Sequence, residues 1–312
     1  MAENEKKTQA DLEKLVEEGL DTEKGELDLR EHELVDDDIK TIVQSDKLKG
    51  VTALFIEFNK IGDAGIQALL DCEHLKHLTA LNMFKNEVTD VGVKEMAKSK
   101  TLLNLSELVM SDNKVGVDGA RALAESKTLS NLVSLWVGDD LGDEGVKALA
   151  ESKTLTKLNL LTLYRNNIGN AGAVALAESP NFSKLTELNL NWNFIEAEGI
   201  KALAESKTLT NLEQLTLTYN PIGTQGAKYI AESENFKNLI LLDLYETEIG
   251  DEGGRVLAAS KVLSNLETLI LIHNDINEEV QELIQNSKNL PKLSKLVFRQ
   301  APATETSEPP LG

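Results

Sequence analysis

Over most of its length, the chain repeats one pattern of hydrophobic and polar positions. A segment such as residues 212–220 alternates apolar and polar side chains, which is the period of a β-strand with one buried face. A segment such as residues 119–126 carries apolar side chains at helical spacing, among residues that favour helices. Each unit is therefore predicted to contain one strand followed by one helix.

The repeat is marked by leucines in a fixed register. Eleven of them define it: Leu27, Leu54, Leu81, Leu108, Leu135, Leu161, Leu188, Leu215, Leu242, Leu269 and Leu296. Successive leucines are 27 residues apart, except for an interval of 26 between Leu135 and Leu161. One strand and one helix cannot bury a core alone, so the units are expected to stack into a solenoid with terminal caps.

The repeated motif LxxLxLxxNxIG resembles the leucine-rich repeat family, in particular its ribonuclease-inhibitor-like subtype. The resemblance implies an α/β horseshoe of about 11 repeats of 27 residues. In that fold a parallel β-sheet lines the concave face and the helices lie on the convex face. The family carries many unrelated functions, so the fold alone leaves the task of the protein open.

Three segments are predicted along the chain. Residues 1–25 contain an amphipathic pattern (Leu12, Leu15, Val16 and Leu20) and are expected to form an N-terminal helical cap, with a partner-binding helix as the alternative. Residues 26–298 form the leucine-rich repeat solenoid. Residues 299–312 are rich in Pro, Thr, Ser and Glu and are predicted to be a disordered tail.

One column of the repeat is polar and is interpreted as structural. It contains Asn59, Asn86, Asn113, Asn166, Asn193, Asn220 and Asn274, with Asp140 and Thr247 in place of asparagine in two repeats and His32 in the first. Their amides are expected to satisfy backbone groups where each strand turns. Acidic residues near the helix starts are expected to complement the helix dipole: Asp63, Asp90, Asp118, Asp143 and Asp251.

Charge and cysteine content narrow the functional classes. The formal net charge is −20, which disfavours nucleic-acid binding because that requires clustered Lys and Arg. The acidic charge either attracts a basic partner or keeps the solenoid in solution. The single cysteine, Cys72, permits no disulfide framework, and no secretory signal or membrane span is evident. We predict a cytoplasmic protein that does not bind membranes, with delivery by a signal-peptide-independent secretion system left open.

Aromatic residues concentrate on the positions expected to face outward from the strands. These are Phe55, Phe58, Phe84, Trp136, Tyr164, Trp192, Tyr219 and Tyr245, and Arg165 lies beside Tyr164. Exposed aromatic clusters mark interaction surfaces, and Trp, Tyr and Arg dominate binding hot spots. We predict that these nine residues bind a partner protein on the concave face. The alternative is that aromatic residues simply suit the surface of a strand.

The aromatic residues are expected to form two patches. Trp136, Tyr164 and Trp192 make a central patch that Tyr219 and Tyr245 extend, and the three phenylalanines make an N-terminal patch. The segment between them contains Ser111, Asp112, Gly138, Asp139 and Asp140 and coincides with the one-residue deletion. A groove for a basic loop or peptide is the favoured interpretation of this segment, ahead of a divalent-metal site.

No catalytic grouping is recognisable in the sequence. The four histidines (His32, His74, His77 and His273) are not accompanied by a metal-binding set, and no nucleophile lies with a base in a known motif. We therefore predict a non-enzymatic recognition scaffold without cofactor or metal. Two alternatives stay open: an activator of a small GTPase, similar to the Ran GTPase-activating proteins, and a secreted effector that binds a host protein.

Overall fold

The computed structural model describes residues 7–299 and confirms the predicted solenoid. Twelve short strands form one sheet in chain order. Their bounds are β1 (Leu20–Asp21), β2 (Glu26–Asp28), β3 (Ala53–Phe55), β4 (Ala80–Asn82), β5 (Glu107–Val109), β6 (Ser134–Trp136), β7 (Leu160–Thr162), β8 (Glu187–Asn189), β9 (Gln214–Thr216), β10 (Leu241–Asp243), β11 (Thr268–Ile270) and β12 (Lys295–Val297). From β2 onward, all neighbouring strands are parallel.

One α-helix follows each strand from β2 to β11, and another precedes the sheet. Their bounds are α1 (Gln9–Gly19), α2 (Asp36–Ile42), α3 (Asp63–Leu70), α4 (Asp90–Met96), α5 (Val117–Glu125), α6 (Gly142–Ala150), α7 (Asn170–Glu178), α8 (Ala197–Ala204), α9 (Gly223–Glu232), α10 (Gly250–Ala259) and α11 (Glu278–Gln285). Short 3₁₀ turns occur at Asp46–Leu48, Glu73–Leu75, Pro180–Phe182 and Glu234–Phe236. Within residues 7–299, no helix is both long enough and apolar enough to cross a bilayer.

The eleven register leucines lie at the centres of β2 to β12 and pair with one another across the sheet, as Leu188 does with Leu215. The first ten are at most 3% exposed, and Leu296 in the last strand is partly buried. Phe182 and Phe236 replace leucines in the core and are fully buried. Each helix packs against the helices of the adjacent repeats, so one continuous core runs along the solenoid.

The first pairing of the sheet differs from the expected parallel arrangement. β1 pairs with β2 in antiparallel orientation, with Leu20 opposite Leu27. Gly25 closes this hairpin with a backbone φ of +71°, a conformation that glycine adopts without steric cost. A hairpin of this size joins only antiparallel strands. α1 packs beside it on β2 and α2, burying Leu12 and Val16. The predicted tail lies outside the described residues beyond Arg299.

The polar column forms a hydrogen-bonded ladder along the solenoid, as the sequence predicted. The side-chain amide of Asn193 donates to the carbonyls of Leu163 and Leu190, at 2.9 and 2.8 Å. Its oxygen accepts from the backbone N–H groups of Asn166 and Ile168, both at 3.0 Å. Each asparagine therefore satisfies backbone groups of its own repeat and of the preceding one.

The assignment of Asp140 to this ladder was wrong. Asn166 accepts from the backbone N–H groups of Asp139 and Leu141, in the way that Asn59 accepts from those of His32 and Leu34. Asp139 is therefore the ladder residue of the short repeat, and Asp140 lies outside it, exposed. The deletion falls before the ladder position, so counting from Leu135 overshoots by one residue.

The residue immediately before the ladder position has left-handed backbone in nearly every repeat, and we call it the turn position. It is occupied by Glu31, Phe58, Lys85, Asp112, Arg165, Trp192, Tyr219, Glu246 and His273, with φ between 50° and 60°. In the short repeat Gly138 precedes Asp139, and its φ is not positive. The single-residue deletion therefore removes the turn position from that repeat.

Candidate functional site

The nine predicted binding residues lie on the sheet side of the solenoid at three positions of the repeat. Phe55 and Trp136 end their strands; Phe84, Tyr164 and Tyr245 lie two residues further on; and Phe58, Arg165, Trp192 and Tyr219 are at turn positions. Strand alternation accounts for the first two positions. The turn position projects outward because the left-handed backbone reverses the alternation after each strand.

Four rings at the C-terminal half of the sheet side are in contact, and we call them the aromatic row. Trp192 stacks on Tyr219, with centroids 3.8 Å apart and planes at 30°. Tyr219 contacts Tyr245 at 5.2 Å, and Tyr245 meets His273 edge-on at 5.2 Å. Trp192 is 48% exposed although it is in a stack. The row is therefore a continuous aromatic surface across four adjacent repeats.

A second cluster, the phenylalanine patch, lies near the N-terminal end. Phe58 and Phe84 meet in a T-shaped arrangement at 5.3 Å. Basic side chains cover its edges: the Lys85 ammonium is 5.1 Å from the Phe58 ring, and the Arg30 guanidinium is 5.8 Å from the Phe55 ring. These distances are typical of cation–π contacts.

Glu57 is buried within the phenylalanine patch. Its Oε1 accepts from the Asn82 amide at 2.7 Å, whereas Oε2 has no hydrogen-bond partner among residues 7–299. Burial raises the pKa of Glu57 to about 7, although a backbone hydrogen bond and the nearby Arg30 act in the opposite direction. This carboxyl therefore changes charge near neutral pH.

The expected central patch is only partly formed. Among residues 7–299, neither Trp136 nor Tyr164 makes a ring–ring contact, so the aromatic row begins at Trp192. Tyr164 is instead covered by Arg165, whose guanidinium lies 5.7 Å from the ring centroid. On β7 the position beside Trp136 is Thr162, which cannot stack on it.

Two further aromatic side chains, beyond the nine predicted binding residues, belong to the aromatic row or adjoin it. His273 completes the aromatic row, and its turn position was the signal that identifies it. Phe194 is 63% exposed and follows the ladder residue Asn193, two residues after Trp192 in sequence. Strand alternation does not identify Phe194, because this residue lies beyond the strand and the turn position.

Two features bear on catalysis and metal binding: the absence of a metal-binding group within residues 7–299 and one open hollow near the N-terminal end. Within 7–299, no group of three or more His, Cys, Asp or Glu side chains is arranged to hold a metal ion. An open hollow of about 540 Å³ lies between α1 and β2, lined in part by Leu15, Asp28 and Arg30. The Arg30 guanidinium is paired with Asp28 at 2.6 Å there, so its strongest donors are engaged.

Comparison with known proteins identifies the repeat. A family model described as "Leucine Rich repeat" matches residues 51–70, 74–97, 101–124, 183–204 and 208–231. Among curated proteins, no sequence matches this chain. The ribonuclease-inhibitor-like subtype stays a prediction.

Two solved structures resemble this chain at low sequence identity, and only the first has a TM-score above 0.5. A protein from Bacteroides fragilis matches with 17% identity and a TM-score of 0.52, over 77% of this chain and 70% of that one. An internalin (InlF) from Listeria monocytogenes matches with 22% identity and a TM-score of 0.48, over 94% of this chain and 90% of that one. At these identities the likeness concerns the fold.

Proposed function

Since this chain belongs to the leucine-rich repeat family, we propose that it is a non-enzymatic scaffold that binds a partner protein on its concave, aromatic-rich face. The observation that carries the proposal is the aromatic row, in which four rings from adjacent repeats touch while Trp192 stays half exposed. Large apolar surface of this kind is unfavourable in water and marks contact sites.

The backbone conformation of Trp192 and Tyr219 favours a binding role over the alternative that aromatic residues simply suit the surface of a strand. Trp192 and Tyr219 lie at turn positions with φ of 58° and 56°, not on strands, so a preference of aromatic residues for strands does not explain them. A left-handed conformation costs a residue with a side chain roughly 1–2 kcal/mol. Asparagine or glycine would be easier to accommodate at these positions, so the aromatic side chains are better explained by contact with a partner.

Rigidity of the scaffold favours recognition. The aromatic row is held by the asparagine ladder and by a continuous core, and its rings restrict one another through stacking. Little side-chain entropy is therefore lost when a partner covers them. We propose all nine predicted residues as contact candidates, with His273 and Phe194 added.

Charge indicates the kind of partner. With a net charge of −20, the protein favours a partner with a basic surface and disfavours nucleic acid. The free, buried Cys72 is compatible with the cytoplasm that we propose as its compartment. No described feature specifically favours GTPase activation or delivery as an effector.

The test is affinity capture from a lysate of the source organism with mass-spectrometric identification. The double variant Trp192→Ala/Tyr219→Ala is compared with the wild type and with Leu283→Ala, an exposed apolar residue on α11 (44% exposed, against 48% for Trp192). We expect the double variant to lose its partner by at least about tenfold, because each aromatic hot spot contributes about 2 kcal/mol or more. Equal capture by all three folded proteins would contradict the proposal.

A further inference from the structure

The last strand of the sheet has a free edge. Among residues 7–299, β12 pairs with β11 alone, and no helix follows it. At the other end of the solenoid, β1 pairs with β2 and α1 packs on the same strand. Unpaired backbone groups on an exposed edge strand form a template for another extended chain. The outer edge of β12 is therefore open to strand addition, whereas that of β2 is covered.

The earlier repeats identify the unpaired groups of this edge. In each of them, the residue after the strand donates its backbone N–H to the last residue of the next strand, as Leu271 does to Val297 at 2.8 Å. Phe298 is the equivalent of Leu271 in the last repeat. The carbonyl of Glu267 likewise accepts from the next repeat, and its equivalent is the carbonyl of Ser294. Within residues 7–299, neither the N–H of Phe298 nor the carbonyl of Ser294 has a backbone partner.

The hydrophobic core is also incompletely covered at this end. Leu293, Leu296 and Phe298 are only partly buried. The equivalent leucines 27 residues earlier are at most 1% exposed, because the last repeat covers them. Since side chains alternate along a strand, Leu296 and Phe298 lie on the core side of the free edge. A chain added at this edge covers them, as each repeat covers the one before it.

The open end is basic although the protein as a whole is acidic. Residues 283–299 contain no Asp or Glu and four basic residues: Lys288, Lys292, Lys295 and Arg299. Among the described residues, none of the four has a carboxylate within ion-pair distance. Lys295 and Arg299 are exposed and alternate with Leu296, so they lie on the sheet face of the edge. Acidic groups further away than about 8 Å are largely screened at physiological ionic strength, so these nearby cations attract negative charge.

We propose that the free edge of β12 binds an extended acidic segment of a partner protein, which adds a strand to the sheet. This surface is separate from the aromatic row and provides a second contact beyond the function proposed above. The added backbone pairs with the Phe298 N–H and the Ser294 carbonyl. Alternate side chains of the segment are acidic, opposite Lys295 and Arg299. The others are apolar and cover Leu296 and Phe298.

The sequence favours this occupant over the two that the chain itself offers. Two copies joined through β12 would bring their own Lys295 and Arg299 side chains together, and like charges on neighbouring strands are destabilising. Residues 300–312, which follow the edge directly, contain Glu305 and Glu308 but only one large aliphatic side chain, Leu311. They lack the alternation of acidic and large apolar side chains that the edge requires.

Nuclear magnetic resonance of the full chain with a pentapeptide probe tests the inference. Acetyl-Val-Glu-Val-Glu-Val-amide is the probe, and acetyl-Val-Lys-Val-Lys-Val-amide is its matched control. We expect saturable shifts of the Leu296 and Phe298 amide signals with the glutamate peptide only. At saturation, hydrogen exchange at Phe298 should slow at least about tenfold, because its N–H gains an acceptor. Equal shifts with both peptides, or no shift with either, would overturn the inference.

Charge-reversal variants locate the site. Lys295→Glu/Arg299→Glu should weaken binding of the glutamate peptide at least about tenfold and should bind the lysine peptide instead. Lys237→Glu/Lys261→Glu changes the net charge equally, at exposed positions on the loops after α9 and α10, and should bind as the wild type does. The same loss of binding in both variants would indicate a general effect of charge and contradict a site on β12.

The other possible occupants of the edge give distinct results. If residues 300–312 cover β12, the Phe298 amide is protected from exchange in dilute protein without peptide. If a second copy covers it, this protection appears only as the protein concentration rises, together with a larger sedimentation coefficient. Either result would overturn the inference. Trp192→Ala/Tyr219→Ala alters rings in the repeats of β8 and β9 and should bind the glutamate peptide normally, so the two surfaces are tested separately.

Discussion

At the scale of single residues, the asparagine ladder fixes the backbone beside the outward turn positions. Asn193, like the other ladder asparagines, joins two repeats through its side chain, and an outward turn position immediately precedes it. The ladder was predictable because one residue type recurs at one period. The position of the deletion was not, because the leucine spacing shows only that a residue is missing between Leu135 and Leu161.

Loss of one ladder residue is expected to be strongly destabilising. Asn193→Ala removes the hydrogen bonds that the amide donates to the carbonyls of Leu163, Leu190 and Asn191 and the two that its oxygen accepts, and it leaves buried backbone groups unpaired. We expect the free energy of unfolding to fall by about 2–4 kcal/mol, measured by urea denaturation. The control is Asn104→Ala, an exposed asparagine without left-handed backbone, whose amide donates to the carbonyl of Lys76. A similar loss in both variants would show that the ladder has no special role.

Glu57 should give the protein an unusual pH dependence. Its folded-state pKa of about 7 lies above the ordinary value of 4.5, so the folded state binds its proton more tightly than the unfolded state does. The stability from this group is complete below about pH 4.5 and is lost as pH rises through 7. Asp139 has a shift of the same sign.

The variant Glu57→Gln isolates this contribution. It carries no charge at any pH, so its stability relative to the wild type should rise between pH 4.5 and 8 by an amount on the order of 1–3 kcal/mol. Thermal unfolding at several pH values measures it, with the exposed Glu246→Gln as the control. A constant difference between wild type and Glu57→Gln across this range would refute the assignment.

At the scale of elements, most helices after the first repeat are capped by the repeat before them. Oδ1 of Asp143 accepts from the backbone N–H groups of Gly169 and Gly172, at 2.7 and 2.9 Å, at the start of α7. In the same way, Asp63, Asp90 and Asn170 each accept from two backbone N–H groups at the start of the helix in the following repeat. The sequence had suggested that these acids complement the dipole of their own helix, and the structure gives them an additional task between repeats.

The three repeats without such a cap begin their helices differently. Val117, Ala197 and Thr224 replace the capping residue, and the helices that follow each begin with a left-handed glycine: Gly142, Gly223 and Gly250. The presence or absence of the capping carboxylate or amide therefore correlates with the backbone conformation at the start of the next repeat's helix. The periodicity of the sequence predicted the helices. The two kinds of helix start become visible only when adjacent repeats are compared.

Removal of one inter-repeat cap should have a measurable, moderate effect. Asp143→Ala leaves the N–H groups of Gly169 and Gly172 without their acceptor, and we expect a loss of about 1–2 kcal/mol. Asp118→Ala is the matched control, because Asp118 is on the first turn of α5 and pairs with Lys94 at the surface. Chemical denaturation that ranks the two variants equally would argue against the capping role.

At the scale of the whole molecule, each repeat contacts mainly its neighbours, so the ends determine how unfolding begins. At the first end α1 covers the sheet with Leu12 and Val16, which are 3% and 1% exposed. We expect Leu12→Ala/Val16→Ala to accelerate hydrogen exchange in β2 and β3 and to leave β10 and β11 protected. Lys14→Ala/Glu18→Ala, on the exposed side of α1, should not. Uniform loss of protection along the chain would indicate one cooperative unit instead.

The overall shape was more predictable than the binding surface. Eleven leucines located all eleven parallel strands, because burial of a strand centre depends on local pattern alone. Which rings touch depends on the side chains beside them: Trp136 lies beside Thr162 and contacts no other ring within residues 7–299, while Trp192 stacks on Tyr219. The acidic segment of the short repeat was recognised in the sequence, but the ladder role of Asp139 became visible only with the position of the deletion.

The left-handed turn position has a consequence for how such a protein changes over generations. Its side chain projects away from the core and the ladder, and it already varies among aromatic, basic and acidic residues without any change in the fold around it. Substitutions at the turn position change the chemistry of the surface with little effect on the stability of the fold. A lineage can therefore change the chemistry of this outward surface by a few independent amino-acid replacements, each in a different repeat, while the architecture is inherited intact.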